Sequence, residues 1–191
     1  MMQSVCAATV RPQPLLFDDW SKEENEPSAL REMASWKSPD KLFTIILLKV
    51  DEDAGRFKLI GRQLNNGREV ALGYGNNAVN VRWIETKAGA VAVIDHGISS
   101  GLNELFVIRP VAAQDWILMY KTPPHWGPDG LAVDHCYWSI VSVDVALGTL
   151  SLKAAWTFSN ASRSKSKELT TEAEYTVPIY YGFRLKSEVG R

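Results

Sequence analysis

The sequence predicts an all-β fold, an antiparallel sandwich or barrel of about nine or ten strands built from hairpins, with a short N-terminal helix or arm. Three observations carry that expectation. A turn-and-strand pattern occurs twice, as Val50-Asp51-x-x-x-Gly55-x-Phe57-x-Leu59 and as Val143-Asp144-x-x-x-Gly148-x-Leu150-x-Leu152. In each copy the Asp carboxylate can close a local turn, and the Gly four residues later supplies the positive φ that a hairpin connection needs. The segments flanking these turns alternate or are rich in β-branched and aromatic residues, the signature of strands. Further turn signals, Gly75-Asn76-Asn77 and Lys87-Ala88-Gly89, separate the remaining runs at hairpin spacing.

Residues 1–40 read as an arm. They hold Pro12, Pro14, Pro27 and Pro39 together with an acidic cluster of Asp18, Asp19, Glu23, Glu24 and Glu26. Leu30, Met33, Ala34 and Lys37 fall at helical spacing with Asn25 or Ser28 available as a cap, which predicts a short helix near 27–36. Trp20 and Trp36 are expected to anchor this arm by burying their large faces on the β domain.

The β domain is expected over 41–191. Leu42 to Val50 is apolar on both faces and reads as a core strand covered on two sides. Phe57 and Leu59 alternate with Arg56, Lys58 and Arg62, marking its half-exposed hairpin partner. Segments 69–73, 79–85 and 90–96 continue as a meander, followed by 105–111 and 116–121. The second marked hairpin alternates Leu150, Leu152, Ala154, Trp156 and Phe158 with polar or small residues. A final strand places Tyr175, Val177, Ile179, Tyr181, Phe183 and Leu185 on one face, with Pro178 marking an edge or a bulge.

Two loops interrupt this rhythm. Residues 159–172 (SNASRSKSKELTTE) are Ser-rich and locally basic and are expected to be mobile; they include the triplet Asn160-Ala161-Ser162, a glycosylation acceptor only in a eukaryotic secretory context. Residues 122–130 (TPPHWGPDG) combine rigid prolines with His125 and Trp126. Prolines lower the entropy lost on ordering, so Trp126 is a candidate anchor for a ligand, with His125 beside it as a group that titrates near neutrality.

Composition narrows the function. The chain has 191 residues, 46% of them hydrophobic, enough for a sizeable core in one domain. Its 21 basic and 22 acidic residues leave a formal charge of −1, no global field for nucleic acid. No apolar run approaches the roughly 20 residues of a membrane-spanning helix. The start lacks the basic and apolar regions of a signal peptide, although Cys6-Ala7-Ala8 resembles the small-residue end of one. Localisation is therefore unassigned: cytoplasmic, or secreted or periplasmic if a signal lies upstream. Cys6 and Cys136 make no disulfide framework, and Cys136 reads as a small buried hydrophobe. Its neighbour His135 would point to the opposite strand face, which argues against a Cys-His nucleophile.

The histidines are His96, His125 and His135, two of them preceded by Asp95 and Asp134. Three imidazoles and a carboxylate could hold zinc and activate water, the best enzymatic reading available. No HExxH, HxH or CxxC spacing supports it, and His96 and His135 read more simply as strand-end residues held by turn hydrogen bonds. Ser99 and Ser100 after Asp95-His96-Gly97 lack a nucleophile elbow, and Gly73-x-Gly75 precedes no helix, so no cofactor is expected.

The seven tryptophans and six tyrosines are mostly core material, with a minority available to line a concave site. Three functions of different classes follow. The first is a non-enzymatic binding module for a small apolar or sugar-like ligand or a protein partner, with Trp126, His125, Tyr120 and Trp138 as candidate ligand-binding residues. The second is a metal-dependent hydrolase built on His96, His125 and His135. The third is a structural or assembly protein that forms a homo-oligomer through its arm.

Overall fold

Two β-sheets, mixed in strand direction, make up the described chain. The computed structural model describes residues 15–18, 30–50, 55–86, 89–99, 101–112, 115–122, 135–144, 149–158, 169–178 and 183–186. Their strands are β1 (Phe17–Asp18), β2 (Arg31–Lys37), β3 (Phe43–Lys49), β4 (Phe57–Gln63), β5 (Glu69–Gly75), β6 (Val79–Ile84), β7 (Val91–Ser99), β8 (Leu102–Ala112), β9 (Asp115–Lys121), β10 (His135–Asp144), β11 (Thr149–Phe158), β12 (Leu169–Pro178) and β13 (Phe183–Lys186). The first sheet runs β1-β5-β4-β3-β2, and the second runs β12-β11-β10-β8-β7-β6, with β9 joining β8 to β13. All pairings are antiparallel except β1–β5 and β8–β10. The all-β expectation holds, but the strand number and the purely antiparallel pairing are corrected. Neither sheet is seen to close into a barrel among the described residues.

Alternation sets up the first core. Phe43, Ile45, Phe57, Leu59, Val70 and Leu72 turn one face of the first sheet toward Val81, Ala92, Ile94, Phe106, Ile108 and Trp116 of the second. Phe17 of β1 joins them, its ring lying over Gly73, where an added Cβ would sit 2.7 Å from the ring. The indole of Trp83 links the sheets by donating to the Trp36 carbonyl at 2.9 Å.

The middle strands have a second buried face. Val91, Val93, Leu105 and Val107 alternate with the residues just named and meet Cys136, Trp138, Leu150, Leu152, Ala154 and Trp156. The eight-stranded sheet therefore folds back over itself, so that β10 and β11 cover β7 and β8. Continuous apolar runs such as Ala90–Ile94 and Leu105–Ile108 are what burial on two faces demands.

The fold-back is held where β8 meets β10. Their ladder has a single register pair, Cys136 with Leu102. The Asn103 side chain extends it as a surrogate backbone unit: Trp138 N–H donates to Asn103 Oδ1 at 2.7 Å, and Asn103 Nδ2 donates to the Trp138 carbonyl at 3.0 Å. The same Nδ2 donates to Asp95 Oδ1 at 2.8 Å, tying β7 into the junction.

Three expectations change here. The helix expected near 27–36 is, from Arg31 onward, strand β2 paired with β3. Seven residues satisfy a helical or a strand period, and the neighbouring strand decides between them. The boundary drawn at residue 40 falls inside the β2–β3 hairpin, where Ser38 Oγ donates to the Phe43 carbonyl at 3.0 Å and Asp40 Oδ1 accepts from Leu42 N at 3.0 Å. Thirdly, the single last strand is two, β12 on β11 and β13 on β9. β12 begins at Leu169, inside the segment expected to be a loop, because its pairing with β11 continues in unbroken register to Phe158. Pro178 does end an edge strand.

Gly55 takes φ +66°, as its turn requires, whereas Gly148 lies outside the described residues. Nothing approaches within 4 Å of a Cβ added at Gly55, so replacing it by Val costs backbone strain alone. Gly55→Val is expected to lower stability by about 1–3 kcal/mol, read as a shift in the urea midpoint. An unchanged midpoint would contradict the turn assignment.

Candidate functional site

The second core carries the aromatic cluster that best fits a site. The hairpin register places Trp138 of β10 and Trp156 of β11 on the same inward face, and unbroken pairing of β11 with β12 adds Tyr175 beside them. The three rings meet edge-on or tilted, with centroids 6.3 Å (Trp138–Trp156), 6.0 Å (Trp138–Tyr175) and 6.2 Å (Trp156–Tyr175) apart. Such pairs add cohesion beyond their buried area. Both indoles are buried, and their Nε1–H groups have no hydrogen-bond partner among the described residues. Tyr175, on the edge strand, is 41% exposed.

That combination separates this cluster from the rest of the molecule. Buried polar groups are nearly always paired, and an orphaned donor costs about 1–3 kcal/mol. Trp116 carries the same orphaned donor but is sealed inside the first core. Of these three tryptophans, Trp138 and Trp156 border the exposed ring of Tyr175, whereas Trp116 borders the buried Phe43 and the half-buried Trp83.

Tyr120 and Trp138, two of the residues expected to bind ligand, both belong to this second core. Tyr120 is partly buried there, and burial raises its phenol pKa. His125 and Trp126 lie outside the described residues, as do Trp20, Cys6 and the Asn160 triplet. Trp156 and Tyr175 were not among the expected site residues. The alternation of their strands was legible, but the register that joins them to Trp138 was not.

The remaining candidates part company. His96 is not a strand-end residue: it is buried in mid-strand and stacks on Phe17 with ring centroids 4.0 Å apart and planes 8° from parallel. His135 is exposed at the start of β10, against Gly101 of the β7–β8 turn. Among the described residues no group of three or more His, Cys, Asp or Glu side chains is placed to hold a metal ion, so the hydrolase reading gains no support. No described helix is long and apolar enough to cross a membrane.

Cys136 is fully buried in the second core, and desolvation pushes its thiol up to about 11 from an ordinary 9.0. The thiolate is the reactive form, so this is a packing residue rather than a nucleophile. The shift fixes a sign. Above pH 9.0 the unfolded chain loses the thiol proton first, so the folded state holds more protons and raising the pH favours unfolding. Stability is expected to fall between about pH 9 and 11, with Tyr120 adding in the same direction at the alkaline end. Urea midpoints across that window check it, and Cys136→Ala should flatten the slope; a slope unchanged by the substitution would refute the assignment.

Comparison of the chain with models of protein families, with curated proteins and with solved structures found no match to any of them.

Proposed function

We propose that the protein is a non-enzymatic binding module that holds a small sugar-like ligand at Trp138, Trp156 and Tyr175. The observation that carries this is the pair of buried, unpartnered indole N–H donors beside a tyrosine ring 41% exposed. A sugar ring offers what such a site lacks: an apolar C–H face to lie on Tyr175 and oxygens that accept from the indoles. The cluster sits on paired strands rather than on a loop, so its geometry is set before a ligand arrives.

A panel of mono- and disaccharides and of small apolar ring compounds, titrated against intrinsic tryptophan fluorescence, tests the proposal. A saturable response to a sugar is expected, weakened about tenfold or more by Tyr175→Ala. The same substitution, at a half-exposed edge position, is expected to change stability by no more than about 1 kcal/mol. Absence of any saturable response, or unchanged binding by the variant, would refute the site.

A further inference from the structure

Single exposed apolar residues are ordinary in a folded protein, so where they gather matters more than that they occur. Among the exposed large apolar side chains of the described residues, Met33, Tyr137, Val141 and Tyr175 lie within β2, β10 and β12. The other three, Leu42 at 49%, Leu64 at 39% and Val111 at 52% exposure, gather at one end of the first core. Leu42 closes the β2–β3 turn and Leu64 opens the β4–β5 turn, and Leu64 N–H donates to the Leu42 carbonyl at 2.8 Å. Val111 reaches the same end from the second sheet. It is the extra residue of the bulge between Pro110 and Ala112, and Pro110 pairs with Trp116, whose ring packs against Phe43, next to Leu42, and over Gly61 of β4.

We propose that this end of the fold docks on an anionic lipid membrane surface, with Leu42, Leu64 and Val111 entering the interface and Lys41 and Arg68 meeting the headgroups. Charge is the first support. Lys41 and Arg68 are exposed in the same two turns, whereas the acidic residues in or beside them are engaged within the protein: Asp40 Oδ1 accepts from Leu42 N–H at 3.0 Å, and Glu69 pairs with Arg62 at 2.5 Å. The turns therefore present cations beside apolar side chains, the combination that an anionic interface attracts.

Lys41 supplies the second support. It holds φ +59°, a left-handed conformation that glycine adopts without strain, so the turn keeps a lysine where its backbone would favour no side chain at all. The separation of the tips is the third. Exposed Lys41 precedes Leu42, exposed Asn65 and Asn66 follow Leu64, and Val111 comes from the other sheet, so the apolar groups form distinct points rather than one continuous patch. A protein interface is built around a continuous packed core, whereas lipid closes around single side chains. This docking end is independent of the aromatic site on the second core.

Co-sedimentation of the full chain with vesicles tests it, using phosphatidylcholine alone and phosphatidylcholine containing about one quarter phosphatidylserine. The protein is expected to bind the phosphatidylserine vesicles about fivefold or more tighter than phosphatidylcholine alone, a difference that shrinks as salt is raised. Leu42→Ser combined with Leu64→Ser is expected to weaken binding about tenfold. Lys41→Gly guards against misfolding as the cause, because it removes a charge while relieving the backbone; it is expected to weaken binding about threefold with the folded state intact by urea denaturation. No pelleting above a vesicle-free control, equal affinity for the two vesicle types, or binding unchanged in either variant would overturn the proposal. So would a homo-oligomer whose solution mass falls on the double leucine substitution, which would make this end a contact between copies of the chain.

Discussion

Replacing Asn103 by alanine is expected to destabilise the protein by about 2–5 kcal/mol, because one side chain joins three strands at the fold-back. Its amide satisfies both the N–H and the carbonyl of Trp138 and also binds Asp95. Alanine would leave the two backbone groups of a buried residue without partners where the β8–β10 ladder has only one register pair to fall back on. The loss should be local before it is global. Amide exchange at Trp138 and its β10 neighbours is expected to accelerate far more than exchange in β3 and β4. Asn103→Asp separates geometry from hydrogen-bond direction: the carboxylate can still accept from Trp138 N–H but cannot donate to its carbonyl, and it faces Asp95. It is expected to be destabilised at neutral pH and to recover in part on acidification. A stability change below about 0.5 kcal/mol in Asn103→Ala would show that the amide does not hold the fold-back.

The second large effect is expected in the first core, where β4 carries a glycine because β9 carries a tryptophan. Trp116 is fully buried, and a methyl group at Gly61 would lie 2.5 Å from its Cζ2, 2.7 Å from Cε2 and 2.9 Å from Cη2. A rigid ring in a close-packed interior has nowhere to retreat, so Gly61→Ala is expected to cost about 1–3 kcal/mol by overpacking. The diagnostic is coupling. In a Trp116→Leu background the added methyl meets a smaller neighbour, and the cost of Gly61→Ala should shrink or reverse. Equal cost in both backgrounds, measured by urea denaturation, would place the origin of the effect elsewhere.

How far the sequence could be read depends on which interactions are local. Hairpin turns are local: the pattern around Asp51 and Gly55 located β3 and β4, and Gly55 takes the positive φ that it implied. The meander from β6 to β9 followed from alternation and turn residues for the same reason, whereas β5, expected in that same meander, pairs with β4 and β1 in the other sheet. Register across a bulge is not local. The turn end of the second hairpin pairs Asp144 with Thr149, and that register continued would put Trp138 and Trp156 on opposite faces. A shift between Ile140 and Ser142 changes the parity and brings both indoles to one side. Nothing in the residues around Val141 announces that shift. The identity of β2 was likewise hidden, since Ala34 and Trp36 alternate inward only relative to Ile45 and Leu47 of the next strand. Asn103 reads as an ordinary turn-adjacent polar residue until β10 arrives beside it from more than thirty positions away.

The ¹⁵N-edited spectrum of the indole N–H groups tests the proposed binding site most directly, because it observes the donors on which the site is argued. Trp116 is the internal control, equally buried and equally without an acceptor but in the other core. On titration with a sugar that quenches fluorescence, the Nε1–H resonances of Trp138 and Trp156 are expected to shift with a common saturation curve while that of Trp116 stays in place. Shifts confined to Trp116 or to other tryptophans, with Trp138 and Trp156 unmoved at saturation, would contradict the site.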